Sequence, residues 1–161
     1  MSDFVKKAYA ANRVKKVDDA FNDFPPDEEW HKGKIEYVIE EDNVIYSDIC
    51  NIGDIVFVRK YYYDDGHEGN NHFFVIIDQD NIAIPIEYFG MLISSNLSKL
   101  KYESNVLLKS DSFNNLNRDS IVKTDVVYKL LKNQIVFKIG KVDIEKVEEY
   151  KRRFLELING D

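Results

Sequence analysis

The sequence predicts a mainly β fold with flanking helices, arranged as a curled sheet or small barrel. Three observations predict it. After Gly53, short β-branched and aromatic runs of strand length follow one another, divided by polar turn residues. The two ends of the chain instead carry apolar residues at spacings of three and four, the period of an amphipathic helix. With 161 residues, 44% of them hydrophobic, the chain suffices for one substantial core and is short for two typical domains.

The first helix is expected over residues 3 to 22, where Phe4, Ala8, Ala11, Val14, Val17, Ala20 and Phe21 share a face, and Pro25-Pro26 stops it. A polar connector through Asp27-Glu28-Glu29 follows, with Trp30 as its packing anchor. Ile35 to Ile49 reads as helix around Val38-Ile39 or as a short strand at Val44-Ile45-Tyr46. Ile55-Val56-Phe57-Val58 and Phe73-Phe74-Val75-Ile76-Ile77 are continuous apolar runs on either side of Asp64-Asp65-Gly66 and Gly69-Asn70-Asn71, and are predicted to pair antiparallel across a long loop. Further strands are expected at Ile82 to Ile86, Gly90 to Ser94, Val106 to Leu108, Ser120 to Thr124 and Ile135 to Ile139. Asp143 is placed to cap a last helix whose Ile144, Val147, Tyr150, Phe154, Leu157 and Ile158 face the sheet.

Composition narrows the function classes. A formal net charge of −7 argues against a protein that coats nucleic acid by bulk electrostatics. The acidity is uneven: residues 1–52 hold 7 basic and 12 acidic side chains, and residues 53–161 hold 15 and 17. A groove that grips a few phosphates is therefore compatible with the later segment. The single cysteine, Cys50, has no partner for an intrachain disulfide and fits a reducing compartment. The charged amino terminus and the absence of a run of about 20 apolar residues predict a cytoplasmic protein that does not enter a membrane.

Of three histidines, His72 stands where a Gly- and Asn-rich turn enters a buried strand. There a rigid element holds a side chain that a loop leaves reachable, so His72 serves either catalysis or the loop's own hydrogen bonding. His31, beside Trp30, reads as structural. His67 and His72 with Glu68 make a metal site only with a third ligand from elsewhere. A second cluster, Leu92 to Tyr102, ends a strand in Ser94, Ser95 and Asn96 and adds Lys99 and Lys101. Those groups suit a phosphodiester, and Tyr102 suits a base, although the same residues also make an ordinary capped polar turn. No nucleophile elbow, phosphate-binding Gly-rich loop or dinucleotide fingerprint is present.

Taken in order, Gly53-Asp54-Ile55-Val56-Phe57-Val58, Gly66-His67-Glu68-Gly69, His72 to Ile77, Leu92 to Leu97, Leu116-Asn117-Arg118-Asp119-Ser120 and Phe137-Lys138-Ile139-Gly140 resemble the MazF/PemK toxins of type II toxin–antitoxin systems. The resemblance implies an SH3-like small β-barrel over residues 53–161, shared with the CcdB gyrase poison, with residues 1–52 as a helical extension and connector. That extension is left to pack on the barrel, extend a dimer or lay its acidic connector over an RNA groove. The resemblance further implies a homodimer neutralised by a cognate antitoxin, which cleaves single-stranded RNA without metal or other cofactor through a 2′,3′-cyclic phosphate. By position, Ser94 matches the family's catalytic threonine or serine, Ser95 the small residue after it, and Glu68 the glutamate of the preceding loop. His72-Phe73-Phe74 replaces the family's arginine start, a departure that exchanges a permanent charge for a group able to move a proton near neutral pH. The expected catalytic pair is thus His72 and Ser94, with Glu68, His67, Ser95, Asn96, Lys99, Lys101 and Arg59 on the substrate and Lys60 and Lys109 as further nearby cations. A non-catalytic RNA- or peptide-binding module and a CcdB-like topoisomerase poison are the alternatives.

Overall fold

Phe74 and Ile76 explain why the central strands are apolar throughout: both faces of the sheet are covered. The computed structural model describes residues 1–16, 50–59, 71–80 and 85–160. Its strands are β1 (Val14–Lys16), β2 (Asp54–Arg59), β3 (Asn71–Gln79), β4 (Glu87–Ser94), β5 (Asn105–Leu108), β6 (Ser120–Lys123), β7 (Val127–Leu131) and β8 (Ile135–Lys141), and its helices are α1 (Asp3–Ala10) and α2 (Ile144–Asn159). Phe73, Val75 and Ile77 of β3 point into one core with Ile55, Met91, Ile93, Val147, Tyr150 and Phe154. The alternate residues Phe74 and Ile76 join Cys50, Val56, Val58, Tyr88, Leu92, Tyr128 and Leu130 on the opposite face.

The expected antiparallel pairing of the two long runs is observed, with Ile55 opposite Val75 and Phe57 opposite Phe73. The main path through the sheet is β1-β7-β4-β3-β2-β8. At β4 the sheet forks: Glu87 to Gly90 pair with β7, whereas Ile93 and Ser94 pair with β6, which carries β5. This is a mostly β, barrel-like fold, with β1 and β8 unjoined among the described residues. Gly53 closes one corner. Its φ of +97° is open to glycine, and an added Cβ would stand 2.7 Å from the Val142 carbonyl oxygen.

The first helix is shorter than the period predicts and ends at Ala10 rather than residue 22. Asn12 adopts φ 57°, the Arg13 N–H donates to Ala8 and the Asn12 N–H to Tyr9, which is the Schellman arrangement that terminates a helix. Val14 to Lys16 then run parallel to Val127 to Lys129 as β1. The expected positions 17 to 22, the connector with Trp30 and His31, and the segment to Ile49 lie outside the described residues. The short α1 packs on the sheet: Phe4, Val5 and Ala8 are buried in the first core, and the Phe4 and Phe154 rings stand 5.3 Å apart. Buried Asp78 links the layers by accepting from Ser2 Oγ at 2.5 Å while Lys151 Nζ lies 3.5 Å away.

The predicted last helix is observed with Asp143 as its cap, accepting the Lys146 N–H at 2.9 Å. Val147, Tyr150 and Phe154 form its buried face, but Ile144, expected on that face, is the first residue of the helix and is 59% exposed. The strand expected to begin at Gly90 starts at Glu87, and Ile86 lies in a bend before it. Residues 82 to 84 of the expected neighbouring strand lie outside the described residues. The strand β7 has no counterpart among the predicted elements, because Val127-Tyr128-Lys129-Leu130-Leu131 has no flanking glycine or proline to mark it.

Candidate functional site

Strand register brings the two expected catalytic residues together. On β2 and β3, Val58 is opposite His72 and Arg59 opposite Asn71. On β3 and β4, Phe73 is opposite Ile93 and Phe74 opposite Leu92. His72 and Ser94, 22 positions apart in the chain, are thus the next residues outward on adjacent strands. They fall on the face that carries Phe74 and Leu92, because side chains alternate along each strand. Ser94 is held from its other side too, opposite Ile121 of β6. A rigid three-strand junction therefore positions the pair, with the chain leaving β2 at Arg59 and returning at Asn71 by the same end.

His72 is buried at 6% exposure, with its ring meeting the edge of Phe74 at a centroid distance of 6.3 Å. Ser94 is half-buried. Its Oγ accepts the Asn96 N–H at 3.2 Å, which leaves its own hydroxyl proton to be donated outward. Asn96 caps the short 3₁₀ helix Leu97–Lys101, its Oδ1 accepting from the Ser98 N–H at 3.2 Å and the Ser98 hydroxyl at 2.6 Å. Ser95 lies between these two polar residues at intermediate exposure, Lys99 is likewise intermediate and Lys101 is exposed. The Lys101 ammonium sits 5.3 Å from the centroid of the Tyr102 ring.

Residues that sequence reasoning did not single out fix this segment. Buried Asn105 donates from Nδ2 to the Lys99 carbonyl at 2.8 Å, and the Tyr102 N–H donates to the same oxygen at 3.1 Å. Thr124 donates its hydroxyl to the Ser104 carbonyl at 2.6 Å. Asn105 stands at the first position of a short strand and Thr124 at a distance of 20 positions from its partner, so no local pattern signals either contact. His67 and Glu68, together with Lys60, lie outside the described residues. The Arg59 backbone is the last paired position of β2, opposite Asn71. Lys109 follows β5 directly, on the turn before β6 that is anchored by Asn114 Nδ2 donating to the Lys109 carbonyl at 2.8 Å. No helix among the described residues is long and apolar enough to cross a membrane.

Chemically, the cluster offers an imidazole, a hydroxyl able to donate, an exposed amide cap and two ammonium groups at the end of a rigid sheet. These are groups that move a proton, donate to a phosphoryl oxygen and neutralise phosphate charge. Comparison with curated proteins gave no match. A family model, described as PemK-like, MazF-like toxin of type II toxin–antitoxin system, matches residues 51–158, from just before β2 to the last turn of α2. Members of that family are generally endoribonucleases that have a cognate antitoxin and typically dimerise. With the match running through every strand from β2 to β8, the chain belongs to the PemK/MazF-like toxin family of type II toxin–antitoxin systems.

Proposed function

We propose that this chain is a sequence-selective endoribonuclease toxin that cleaves single-stranded RNA without a metal, through attack of a ribose 2′-hydroxyl on the adjacent phosphate. The single observation that carries the reading is the register that sets His72 beside Ser94 at one end of the sheet. In-line attack needs a proton acceptor, stabilisation of developing phosphoryl charge and a proton for the departing 5′-oxygen. His72 acts as general acid or base. Ser94 donates its hydroxyl proton to a phosphoryl oxygen, since its lone-pair side is already engaged by the Asn96 N–H. Ser95 and Asn96 contact the phosphodiester, Lys99, Lys101 and Arg59 supply the charge that the family's arginine would otherwise carry, and His67 and Glu68 position His72 or the ribose. The product is a 2′,3′-cyclic phosphate and a free 5′-hydroxyl, so the bonds made and broken balance without water or cofactor. The protein works as a homodimer in the cytoplasm and is silenced by its antitoxin.

The test is incubation of purified protein with mixed-sequence RNA in EDTA. Fragments bearing cyclic-phosphate ends are expected, with His72→Ala losing about 10²–10⁴-fold in rate and Ser94→Ala about 10²–10³-fold. Unchanged cleavage by His72→Ala discards its role. A second reading, a binding module that has lost cleavage, is favoured by the 6% exposure of His72, because a proton-transfer group must touch its substrate. It is adopted if the wild-type protein binds RNA or peptide and produces no cyclic-phosphate ends.

A further inference from the structure

Tyr102 has no part in the chemistry above, yet its ring is 54% exposed at the end of the segment that begins with Ser94. An aromatic side chain with that much surface in water is held there by a rigid base rather than by its own burial. The 3₁₀ helix beneath it is capped by Asn96 at one end and tied through the Lys99 carbonyl to Asn105 and to the Tyr102 N–H at the other. Next along the chain, the Ser104 carbonyl is fixed by Thr124. Leu97 and Leu100, three residues apart and so on one edge of a 3₁₀ helix, are 41% and 38% exposed. The Lys101 ammonium lies against the Tyr102 ring at 5.3 Å. With a rise of about 2 Å per residue, the 3₁₀ helix carries Tyr102 on the order of 10 Å beyond the turn that holds Ser94.

We propose that Tyr102 and Lys101 form a nucleobase subsite: the phenol ring stacks on an unpaired base flanking the cleaved bond, and the Lys101 ammonium meets the phosphate of that nucleotide. The proposal rests on the RNA-cleaving reading and names a residue that selects how the strand lies across the site. An exposed ring with an ammonium over it at 5.3 Å offers the two kinds of contact a single-stranded nucleotide uses, an apolar surface for the base and a positive charge for the phosphate. A base in a duplex has no face to offer, so the subsite also favours single strands over double strands.

The experiment compares wild type, Tyr102→Ala and Tyr102→Phe on a single-stranded oligoribonucleotide containing one cleaved bond, and on versions carrying an abasic site at each flanking position. Stacking predicts that Tyr102→Ala raises KM between about 5-fold and 100-fold with kcat nearly unchanged, and that Tyr102→Phe restores the wild-type value. At one abasic position the wild type is expected to fall to the level of Tyr102→Ala, and the substitution then costs nothing further. A wild-type KM for Tyr102→Ala overturns the proposal, as does a penalty that persists undiminished on every abasic substrate. If the wild type cleaves none of these strands, the catalytic reading fails separately. An anisotropy titration of labelled oligonucleotide with the same three proteins then decides the subsite, and equal Kd values for wild type and Tyr102→Ala overturn it.

Discussion

Individual side chains carry the candidate chemistry, and their positions show what a sequence reveals at this scale. His72 and Ser94 attract attention as residue types at strand ends, but only the matched pairs Phe73 with Ile93 and Phe74 with Leu92 make them neighbours. Asn105 stayed invisible because its contact to Lys99 depends on how a 3₁₀ turn closes, not on residue type. Cys50 behaves oppositely: a single cysteine implies a free thiol, and the structure buries it in the second core, where desolvation and then the Asp54 carboxylate push its pKa up. The native thiol is therefore expected to stay silent toward an aromatic disulfide reagent near pH 8 and to react fully once urea unfolds the chain. Rapid labelling of the native protein would contradict that burial.

Elements were legible where a local signal and a packing demand agree. The continuous apolar runs of β2 and β3 and the Asp143-capped α2 belong to this class, because burial on both faces or on one helical stripe leaves a periodic trace. The apolar period is misleading between Ala11 and Lys16, since Val14 of β1 falls on the expected helical stripe and the left-handed Asn12 is a single-residue event. Gly140 in β8 shows a constraint of the same kind. A Cβ there would lie 2.4 Å from the Asn114 carbonyl oxygen and 2.5 Å from that of Phe113, both backbone atoms, and the Lys141 N–H donates to Phe113 beside it. Gly140→Ala is expected to push the 111–115 turn off β8 and to cost about 1–3 kcal/mol. Urea unfolding checks this, and an unchanged midpoint would mean the turn yields freely.

At the scale of the whole molecule, ionisable groups sit inside both cores. Burial, with Glu149 and Asp143 adding to it, holds the Tyr150 phenol far above its ordinary value, and burial likewise raises Tyr88 and Cys50. The folded chain keeps these protons at pH values where the unfolded chain releases them. The unfolded state therefore binds fewer protons above about pH 9, and stability falls as the pH rises from there. Thermal melts between about pH 8 and 11 should show a falling Tm, and Tyr150→Phe should lose less over that range. An equal loss in the variant would place the alkaline weakness elsewhere.

By itself the sequence determined the class of the molecule: a β-rich chain with a capped closing helix, a cysteine without an intrachain partner and an order of segments that marks its toxin family. These are local or one-dimensional properties, written in period, turn chemistry and spacing. Tertiary structure alone decided that β4 forks between β6 and β7, that residues 1–16 add a helix and a parallel strand to the same core, and that His72 lies beside Ser94. The physical reason is that strand partners are chosen by which faces bury together across many residues of chain, a contest between distant segments that leaves no mark at any one position.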